Sequence, residues 1–266
     1  MAPIRIDCAD DPRIAAFRDV RERDLVGRRG LFVAEGAVVL RSLLAPTSRC
    51  EVEAVLIDER RQPALADVEA AGGVRAPVYT ASQGLLDEIA GFHLHRGILA
   101  MGRVPPPVGL DAVLGQGPTT VLVISGVGNH DNMGALMRNA AAFGVDAVVL
   151  DDGCCDPFYR KALRVAVGAT FALPIVRGGA LRDLLGDLQA RDVEVIALSP
   201  SGREALGSLK APPRRALVVG AEGPGLPADV LVRVRSVRID MRAGFDSLNV
   251  ATSAAIALHG LTMTEP

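Results

Sequence analysis

Short runs made up mostly of hydrophobic residues recur from residue 119 onward in this 266-residue sequence. The runs are 121–124, 147–150, 193–198, 216–219 and 237–239. Strands that are apolar at nearly every position are buried on both faces, as in a parallel sheet that helices cover. We therefore expect an α/β domain with a mostly parallel sheet, helices on both faces, and ligands at the C-terminal ends of the strands.

The segment 104–118 is predicted to be a linker, because it contains three consecutive prolines, three glycines and a single charged residue. It separates a first domain, 1–103, from a second domain, 119–266, and both lengths are ordinary for single domains. The first domain is expected to be a small α/β domain that begins with a helix near 12–25. Its pattern further predicts strands at 31–34 and 52–57 and a helix at 36–44.

The formal net charge of −2 argues against a protein that binds nucleic acid through bulk positive charge alone. A local stretch between Arg13 and Arg29 nevertheless has six arginines against three acidic residues. This stretch is interpreted equally well as a solvated helix face with ion pairs or as a surface that contacts phosphates.

The four cysteines form no C-x-x-C pair, and the adjacent Cys154 and Cys155 are badly spaced for a tetrahedral metal site. We expect reduced thiols and no metal. No apolar run approaches the ~20 residues of a membrane helix. Three aspartates also lie within the first eleven residues, where a signal peptide would be basic and then apolar. The sequence therefore predicts a cytoplasmic protein without a membrane partner.

Three segments that follow predicted strands carry unusual polar residues. The first, 125–144, has glycines for a tight turn and then a largely apolar helix whose N-cap is Asp131 or Asn132. Arg138 and Asn139 are polar groups within that helix. Because a buried arginine is costly unless it is paired, we expect Arg138 to face a cleft, a subunit interface or an anion.

The second segment, 218–227, runs from a buried strand into a glycine-rich stretch with a lone Glu222. Dense glycine lets the backbone approach a ligand closely. The order G-x-x-G-x-G matches neither a dinucleotide fingerprint nor a phosphate loop. In the third segment, 239–260, a loop precedes a helix that Ser247 or Asn249 can begin. Each of these segments alone is also compatible with an ordinary turn or helix start.

Taken in order, the three segments resemble the signature of the SpoU, or TrmH-like, branch of the SPOUT RNA methyltransferases. The element N-x-G-A-x-x-R is matched by 132–138, and G-[SA]-E-G-x-G-L is matched by 220–226. The element I-x-M-x(5)-S-L-N-V is matched by 239–250. Each element is weak alone, whereas the set in this order and spacing is specific.

The resemblance implies a fold and a cofactor. The C-terminal segment of such domains is threaded through a loop as a trefoil knot, a rare exception to unthreaded chain paths, and the domains work as homodimers. The knotted loops hold S-adenosyl-L-methionine through backbone groups. Carried onto this sequence, the cofactor-binding residues are Leu198, Gly220, Ala221, Glu222, Ile239, Met241 and Leu248.

The activity that the resemblance implies is methyl transfer to a ribose 2′-hydroxyl of RNA, with ribosomal RNA favoured over tRNA. The implied catalytic residues are Arg138, Asn132, Ser247, Asn249 and Glu222. A guanidinium with a pKa above ~12 is a poor base, so we expect Arg138 to stabilise the developing alkoxide. Asn132, Ser247 and Asn249 would orient the ribose, while Glu222 organises the cofactor loop.

The first domain resembles the small RNA substrate-binding domain of this branch, on 32–44 and 95–100. The RNA-binding residues carried over are Arg28, Arg29, His95 and Arg96. The sequence departs from the family pattern in two places, and we expect both departures to reshape the RNA pocket. Asn129-His130 stands where Asp-Pro is common, and Ala166 takes the place of a serine.

Two other classes of protein stay open. A nucleotide-binding α/β oxidoreductase is disfavoured by the failed fingerprints. A non-catalytic RNA-binding or ribosome-assembly protein is conceivable, since folds survive the loss of activity, but the complete set of implied catalytic residues argues against it.

Overall fold

A computed structural model describes residues 3–18, 26–27, 29–66, 68, 73–244 and 247–262. Its internal contacts divide the chain into two units. The first unit comprises Met1–Pro105 and Phe158–Ala172, and the second unit comprises Pro106–Pro157 and Leu173–Pro266.

Strands and helices alternate along most of the described chain. The strands are β1 (Ile4–Arg5), β2 (Leu31–Glu35), β3 (Glu51–Asp58), β4 (Val78–Ala81), β5 (Ile98–Arg103), β6 (Thr119–Ile124), β7 (Ala147–Leu150), β8 (Ile175–Arg177), β9 (Glu194–Leu198), β10 (Glu204–Ala205), β11 (Arg214–Val219) and β12 (Arg235–Arg238). The α-helices are α1 (Ala37–Leu44), α2 (Gln83–Ala90), α3 (Leu110–Val113), α4 (His130–Ala142), α5 (Arg160–Ala166), α6 (Leu181–Gln189), α7 (Ala228–Arg233) and α8 (Val250–Thr262). Short 3₁₀ helices lie at Pro12–Phe17, Glu59–Leu65, Ala169–Phe171 and Leu206–Ser208.

The second unit contains a seven-stranded sheet in the order β10-β12-β9-β11-β6-β7-β8. Every pairing between its neighbouring strands is parallel. Each predicted apolar run overlaps one of these strands. Leu110 of α3, Leu185 of α6 and Val230 of α7 share a core with Val123 and Val218 on one face of the sheet, and α8 packs against β9 and β11. The α/β class with a mostly parallel sheet is thus confirmed.

The segment 104–118 is more than a connection. From Pro106 onward it belongs to the second unit, and α3 forms within it. Leu110 is buried in the core of that unit, where Val108 and Val113 pack around it. These apolar side chains attach a proline- and glycine-rich stretch to the sheet, which its composition alone does not indicate.

The first unit contains a five-stranded mixed sheet in the order β1-β4-β3-β5-β2. Strand β3 is parallel to β4 and antiparallel to β5, which is also antiparallel to β2. The predicted strands 31–34 and 52–57 and the predicted helix 36–44 correspond to β2, β3 and α1.

The helix predicted near 12–25 is shorter and of another type. The structure has a 3₁₀ helix at Pro12–Phe17, and 19–25 lies outside the described residues. Ile14 and Phe17 are both buried, and residues three apart eclipse one another on a 3₁₀ helix, so this form turns both inward. The extended backbone of Arg18 ends the helix.

The segment Phe158–Ala172 belongs to the first unit, although the sequence places it within the second domain. The ring of Phe32 on β2 lies 5.3 Å from that of Phe158 and 5.2 Å from that of Phe171, measured between centroids. Arg160 Nη1 donates to Glu35 Oε2 at 2.8 Å. The physical reason for the difference is this aromatic cluster, whose members are far apart in sequence and which no local pattern reveals.

The sequence predicts reduced thiols, no metal site and no membrane helix, and the described ranges of the structure can be compared with each. Within these ranges no helix has both the length and the hydropathy to cross a bilayer. In the same part of the chain no group of three or more His, Cys, Asp or Glu could hold a metal ion. Burial raises the pKa of the Cys154 thiol to about 12 and that of Cys155 to about 11. The threading of the C-terminal segment stays a prediction.

Candidate active site

A cavity of about 560 Å³ lies where the neighbouring strands β12, β9 and β11 end. All parallel strands of a sheet end at one edge, so the loops that follow them meet there. The start of α8 closes the remaining side. The cavity is lined by Leu198, Ser199, Pro200, Ser201, Val219, Gly220, Ala221, Glu222, Gly223, Pro224, Gly225, Leu226, Leu231, Ile239, Met241, Ser247, Leu248, Asn249, Val250 and Ser253.

The residues predicted to bind the cofactor all border this cavity. They are Leu198, Gly220, Ala221, Glu222, Ile239, Met241 and Leu248. Three of the predicted catalytic residues, Glu222, Ser247 and Asn249, border it as well. The structure therefore brings together residues that lie in separate segments of the sequence.

Three serine hydroxyl groups on the cavity wall were not predicted from the sequence. Ser199 and Ser201 follow β9, their Oγ atoms lie 3.1 Å apart, and Ser253 lies on α8. Their signal in the sequence was available, because the Ser-Pro-Ser stretch follows a buried strand in the same way as the glycine-rich stretch does.

The glycine-rich loop folds back on itself at the cavity. A Cβ atom on Gly220 would lie 2.5 Å from the carbonyl carbon of Gly225 and 2.7 Å from the nitrogen of Leu226, so no larger residue fits there. Gly225 N donates to Ala221 O at 3.0 Å, and Gly225 has a φ of +66°. The loop thus presents backbone, with little side-chain cover, to the cavity.

A chain of hydrogen bonds joins one side chain from each of the three unusual segments. Asn132 Nδ2 donates to Glu222 Oε1. Asn249 Nδ2 donates to Asn132 Oδ1 at 2.8 Å and to Glu222 Oε1 at 3.4 Å. Asn132 is only 8% exposed, whereas Glu222 and Asn249 are exposed at the mouth of the cavity. We call this group the amide–carboxylate cluster.

Two asparagine caps hold the helices that carry the cluster. Asn129 Oδ1 accepts from Asp131 N at 2.8 Å and from Asn132 N at 3.2 Å, so Asn129 is the N-cap of α4 in place of the predicted Asp131 or Asn132. An asparagine caps as well as an aspartate does, so this departure from the family pattern leaves the helix start intact.

Asn249 caps the other helix of the site. Its Oδ1 accepts from Ala251 N at 2.9 Å and from Thr252 N at 3.2 Å, which makes Asn249, and not Ser247, the residue that begins α8. The same side chain therefore fixes a helix start with its oxygen and the amide–carboxylate cluster with its nitrogen. Ser247 is exposed and follows 245–246, which lie outside the described residues.

Arg138 lies apart from the cluster. It is six residues beyond Asn132 on α4, so the two residues are about 120° apart around the helix axis. The side chain is exposed, and within the described ranges it makes no hydrogen bond or ion pair. The expectation that Arg138 faces a cleft, a subunit interface or an anion stays a prediction. The neighbouring Asn139 supplies the inward contact instead, because its Nδ2 donates to Ala251 O at 2.8 Å and ties α4 to α8.

The predicted RNA-binding residues lie in the first unit. Arg28 is outside the described residues, and Arg29, His95 and Arg96 are exposed. Arg61 Nη2 donates to His95 O at 3.3 Å. A Cβ atom on Gly36, which has a φ of +94°, would lie 2.7 Å from Arg96 Cδ. The side chain of Arg96 is thus laid across the turn that leads into α1.

Part of the basic stretch is neutralised locally. Arg13 Nη2 pairs with Asp11 Oδ2 at 2.5 Å, and Arg18 Nη1 lies 3.4 Å from Asp10 Oδ1. For these two arginines the contacts favour the solvated, ion-paired interpretation. Ala166 is buried on α5 in the first unit and is not among the residues that line the cavity.

Comparisons with known proteins agree with this geometry. A family model described as the SpoU rRNA Methylase family matches residues 119–259. The chain is 42% identical over 264 residues to "Uncharacterized tRNA/rRNA methyltransferase Rv0881" of Mycobacterium tuberculosis, covering 95% of this chain and 89% of that protein. It is 34% identical over 231 residues to "23S rRNA (guanosine-2'-O-)-methyltransferase RlmB" of Bordetella pertussis, covering 84% and 92%.

A solved structure supports the fold. The SpoU methyltransferase AviRb from Streptomyces viridochromogenes, in complex with the cofactor AdoMet, has a TM-score of 0.81 at 19% identity and covers 95% of this chain and 98% of that chain. At this identity the likeness concerns the fold. The matched range 119–259 contains the whole amide–carboxylate cluster and the cavity.

Proposed function

Because this chain belongs to the SpoU rRNA methylase family, we propose that it transfers a methyl group from S-adenosyl-L-methionine to a ribose 2′-hydroxyl of ribosomal RNA. One observation carries the proposal: Asn132, Glu222 and Asn249 are joined at the mouth of a cavity of about 560 Å³. The name of the 34%-identical relative, a 23S rRNA guanosine 2'-O-methyltransferase, supports both the ribose hydroxyl and ribosomal RNA.

The cavity fits the cofactor in size and in chemistry. Small-molecule sites occupy ~300–1,000 Å³ and are mostly apolar with a few fixed polar groups. Here the apolar wall consists of Leu198, Ile239, Met241 and Leu248, and the polar groups are the backbone of the loop that Gly220 begins. When bound, the cofactor supplies an electrophilic methyl group on a sulfonium.

The amide–carboxylate cluster leaves defined positions open to the ribose. An asparagine amide has two N–H donors and one oxygen acceptor, and a carboxylate has two oxygens. The side chain of Asn249 has no hydrogen-bonding group left for the ribose. Its nitrogen donates to Asn132 and Glu222, and its oxygen accepts from the backbone at the start of α8. One N–H of Asn132 and the Oε2 atom of Glu222 have no partner among the described residues. These two groups orient the attacking hydroxyl, and Asn249 positions both of them.

Arg138 completes the proposed site as a cation. A guanidinium stays protonated and donates hydrogen bonds, so its role is to stabilise the negative charge that develops on the ribose oxygen. Its exposed side chain, which has no partner in the described part of the chain, is available to a nucleic acid or to a second subunit. Ser247 lies beside Asn249 at the cavity and orients the ribose from that side.

The proposed assembly is a homodimer. Ile256 on α8 is 41% exposed and Leu248 at the cavity is 44% exposed, so both apolar side chains are available to a second copy of the chain. Helix α8 packs against α4, which carries Arg138. A second copy that covers these side chains would also exclude water from the site. Sedimentation of the full-length chain as a monomer at micromolar concentration would refute the dimer.

The first unit is proposed to capture the RNA. Arg29, His95 and Arg96 are exposed there, and Arg28 belongs to the same proposal from the sequence. Phosphate contacts of this kind position a nucleic acid without reading its sequence. A protein that modifies ribosomal RNA would act in the cytoplasm.

The rival classes are now distinguishable. Family membership leaves no support for an oxidoreductase. Asn249 uses both of its N–H groups to hold Asn132 and Glu222 at the cavity. A non-catalytic RNA-binding protein would not need side chains fixed in this way.

The decisive experiment maps 2′-O-methyl groups in total RNA from cells with and without the gene. We expect one or a few ribosomal nucleotides to lose the modification, and purified protein with S-adenosyl-L-methionine to restore it. Transfer should persist in the presence of a chelator, since the proposed contacts contain no metal ligand. An unchanged map, together with no transfer to ribosomal RNA that lacks the modification, would refute the proposed function.

A further inference from the structure

Asp151 is a carboxylate outside the cavity that accepts hydrogen bonds from the start of the loop between β6 and α4. Its Oδ2 accepts from Ser125 Oγ at 2.5 Å, and its Oδ1 accepts from Gly126 N at 2.9 Å. The same Oδ1 accepts from Gly153 N at 3.1 Å. Asp151 directly follows β7, which pairs with β6 in the sheet. A residue at the end of β7 therefore holds the start of the loop that follows β6.

The neighbouring backbone reinforces this fastening. Asp151 N donates to Ile124 O at 3.2 Å, and Cys155 N donates to Val127 O at 2.9 Å. The Cys154 thiol lies 3.2 Å from Ile124 O, and burial raises its pKa to about 12, so it stays a neutral donor. The turn 151–155 therefore runs alongside 124–127 and holds it at several points.

The fastened loop leads at once to the site. Asn129, three residues beyond Gly126, caps α4, and Asn132 follows in the first turn of that helix. Gly126 has a φ of +64°, and a Cβ atom on it would lie 3.3 Å from the Cβ atom of Ala221. The turn that Asp151 fixes thus abuts the cofactor loop on one side and sets the position of Asn132 on the other.

We propose that Asp151 is a positioning residue for methyl transfer, which sets the position of Asn132 relative to Glu222 through the loop 125–129. This inference rests on the proposed function. Asp151 touches neither the cavity nor the amide–carboxylate cluster, so it acts on the reaction only through the backbone that it holds. A displacement of reacting groups by ~1 Å costs roughly 10²-fold in rate.

The test compares Asp151→Ala, Asp151→Asn and the control Asp152→Ala in the full-length protein. Asn keeps the oxygen that accepts from Gly126 and Gly153, and its amide can donate to the Ser125 hydroxyl. Asp152 is exposed, and its side chain has no hydrogen-bond partner in the described part of the chain. At saturating cofactor and RNA, we expect kcat of Asp151→Ala to fall by roughly 10²-fold. Cofactor affinity should stay within about tenfold, because the cavity walls remain.

Two further readouts separate positioning from mere stability. Asp151→Asn should recover most of kcat, and Asp152→Ala should equal the wild type. In ¹⁵N–¹H spectra, the side-chain amide of Asn132, assigned by its loss in Asn132→Asp, should move in Asp151→Ala and stay in Asp152→Ala. An unmoved Asn132 amide, an unchanged kcat, or equal losses of transfer and cofactor binding in both Asp151 variants would overturn the inference.

Failure of the proposed function gives a different result. A wild-type protein that does not methylate ribosomal RNA contradicts the function itself. The Asn132 amide signal still decides, in that case, whether Asp151 positions Asn132.

Discussion

The two units build their sheets differently. In the second unit every strand pairing is parallel, so all strands end at one edge, and the cavity and the amide–carboxylate cluster lie there. In the first unit β5 runs antiparallel to both of its neighbours, so the strand ends are divided between two edges. The exposed His95 and Arg96 lie in the loop just before β5.

This difference in the sheets matches the proposed division between methyl transfer in the second unit and RNA binding in the first. A parallel sheet gathers several loops around one point, which suits a site that must align reacting groups within a fraction of an ångström. A mixed sheet with scattered loops suits a surface that makes independent contacts with a large ligand. Substitutions in the second unit should therefore act on rate, and exposed substitutions in the first unit should act on RNA affinity.

The largest expected effect is a loss of stability that tests whether the segment Phe158–Ala172 packs in the first unit. Phe171 is 1% exposed and stacks on Phe32, so Phe171→Ala should lower the free energy of unfolding by ~3–5 kcal/mol. Hydrogen exchange of the β2 amides should accelerate in parallel. As a control, Phe143→Ala removes a half-buried ring in the second unit and should cost clearly less. If Phe171→Ala lowered the free energy of unfolding but left the hydrogen exchange of the β2 amides unchanged, the segment Phe158–Ala172 would belong to the second unit.

Arg138→Ala should leave cofactor affinity nearly unchanged and lower single-turnover methyl transfer by ~10²- to 10³-fold, the usual cost of one electrostatic donor. Arg138→Lys should restore activity only in part, because an ammonium keeps the charge and loses the planar fork. Arg182→Ala, which removes an arginine that pairs with Asp229 at 2.6 Å, is the matched control. Near-wild-type transfer by Arg138→Ala would remove it from the mechanism, and lost cofactor binding would make its role structural.

Arg96→Ala should weaken RNA binding several-fold and leave kcat at saturating RNA unchanged. If Arg96 contacts a phosphate, the slope of log affinity against log salt should decrease by about 0.7–0.9. Arg75→Ala, an exposed arginine of the same unit, should change neither quantity. A fall in kcat with unchanged RNA affinity would break the separation between the two units.

The smallest expected effect is a pH dependence of stability in the first unit. The backbone N–H of Leu94, with further help from His93 and Gln83, holds the pKa of Asp87 below its ordinary value. Because the folded pKa is depressed, the stabilisation is present above the ordinary aspartate pKa of ~3.9 and is lost as pH falls through the folded pKa. Urea unfolding at pH 6 and pH 3 should show that Asp87→Asn flattens this dependence, by less than about 1 kcal/mol. An equally steep dependence in Asp87→Asn, relative to Asp152→Asn, would exclude Asp87 as its source.

Much of the second unit was predictable because its signals are local. The apolar strands are visible residue by residue, and Asn132, Glu222 and Asn249 follow such strands in matching segments. The exposure of Arg138 was not predictable, since it depends on which side of α4 packs against other elements such as α8. Strands of two or three residues, such as β1, β8 and β10, contain too few positions to show a period.

The aromatic cluster of the first unit was hidden for another reason. Phe32 and Phe171 are brought together by the fold of the whole chain, and each segment by itself looks like a routine helix or strand. The same holds for the part of 104–118 that packs on the sheet. Composition indicates where a chain can turn, but burial of Leu110 depends on a surface formed elsewhere.

The assignment of Phe158–Ala172 to the first unit has a consequence for protein synthesis. Domains generally fold in the order in which the ribosome releases them. Here the chain leaves the first unit after Pro105, returns at Phe158 and leaves again after Ala172. Phe32 therefore lacks Phe158 and Phe171 until Pro106–Pro157, the first segment of the second unit, has been translated. The first unit is complete in the nascent chain only at Ala172, when part of the second unit is already present, and the second unit is complete only after Leu173–Pro266 has followed.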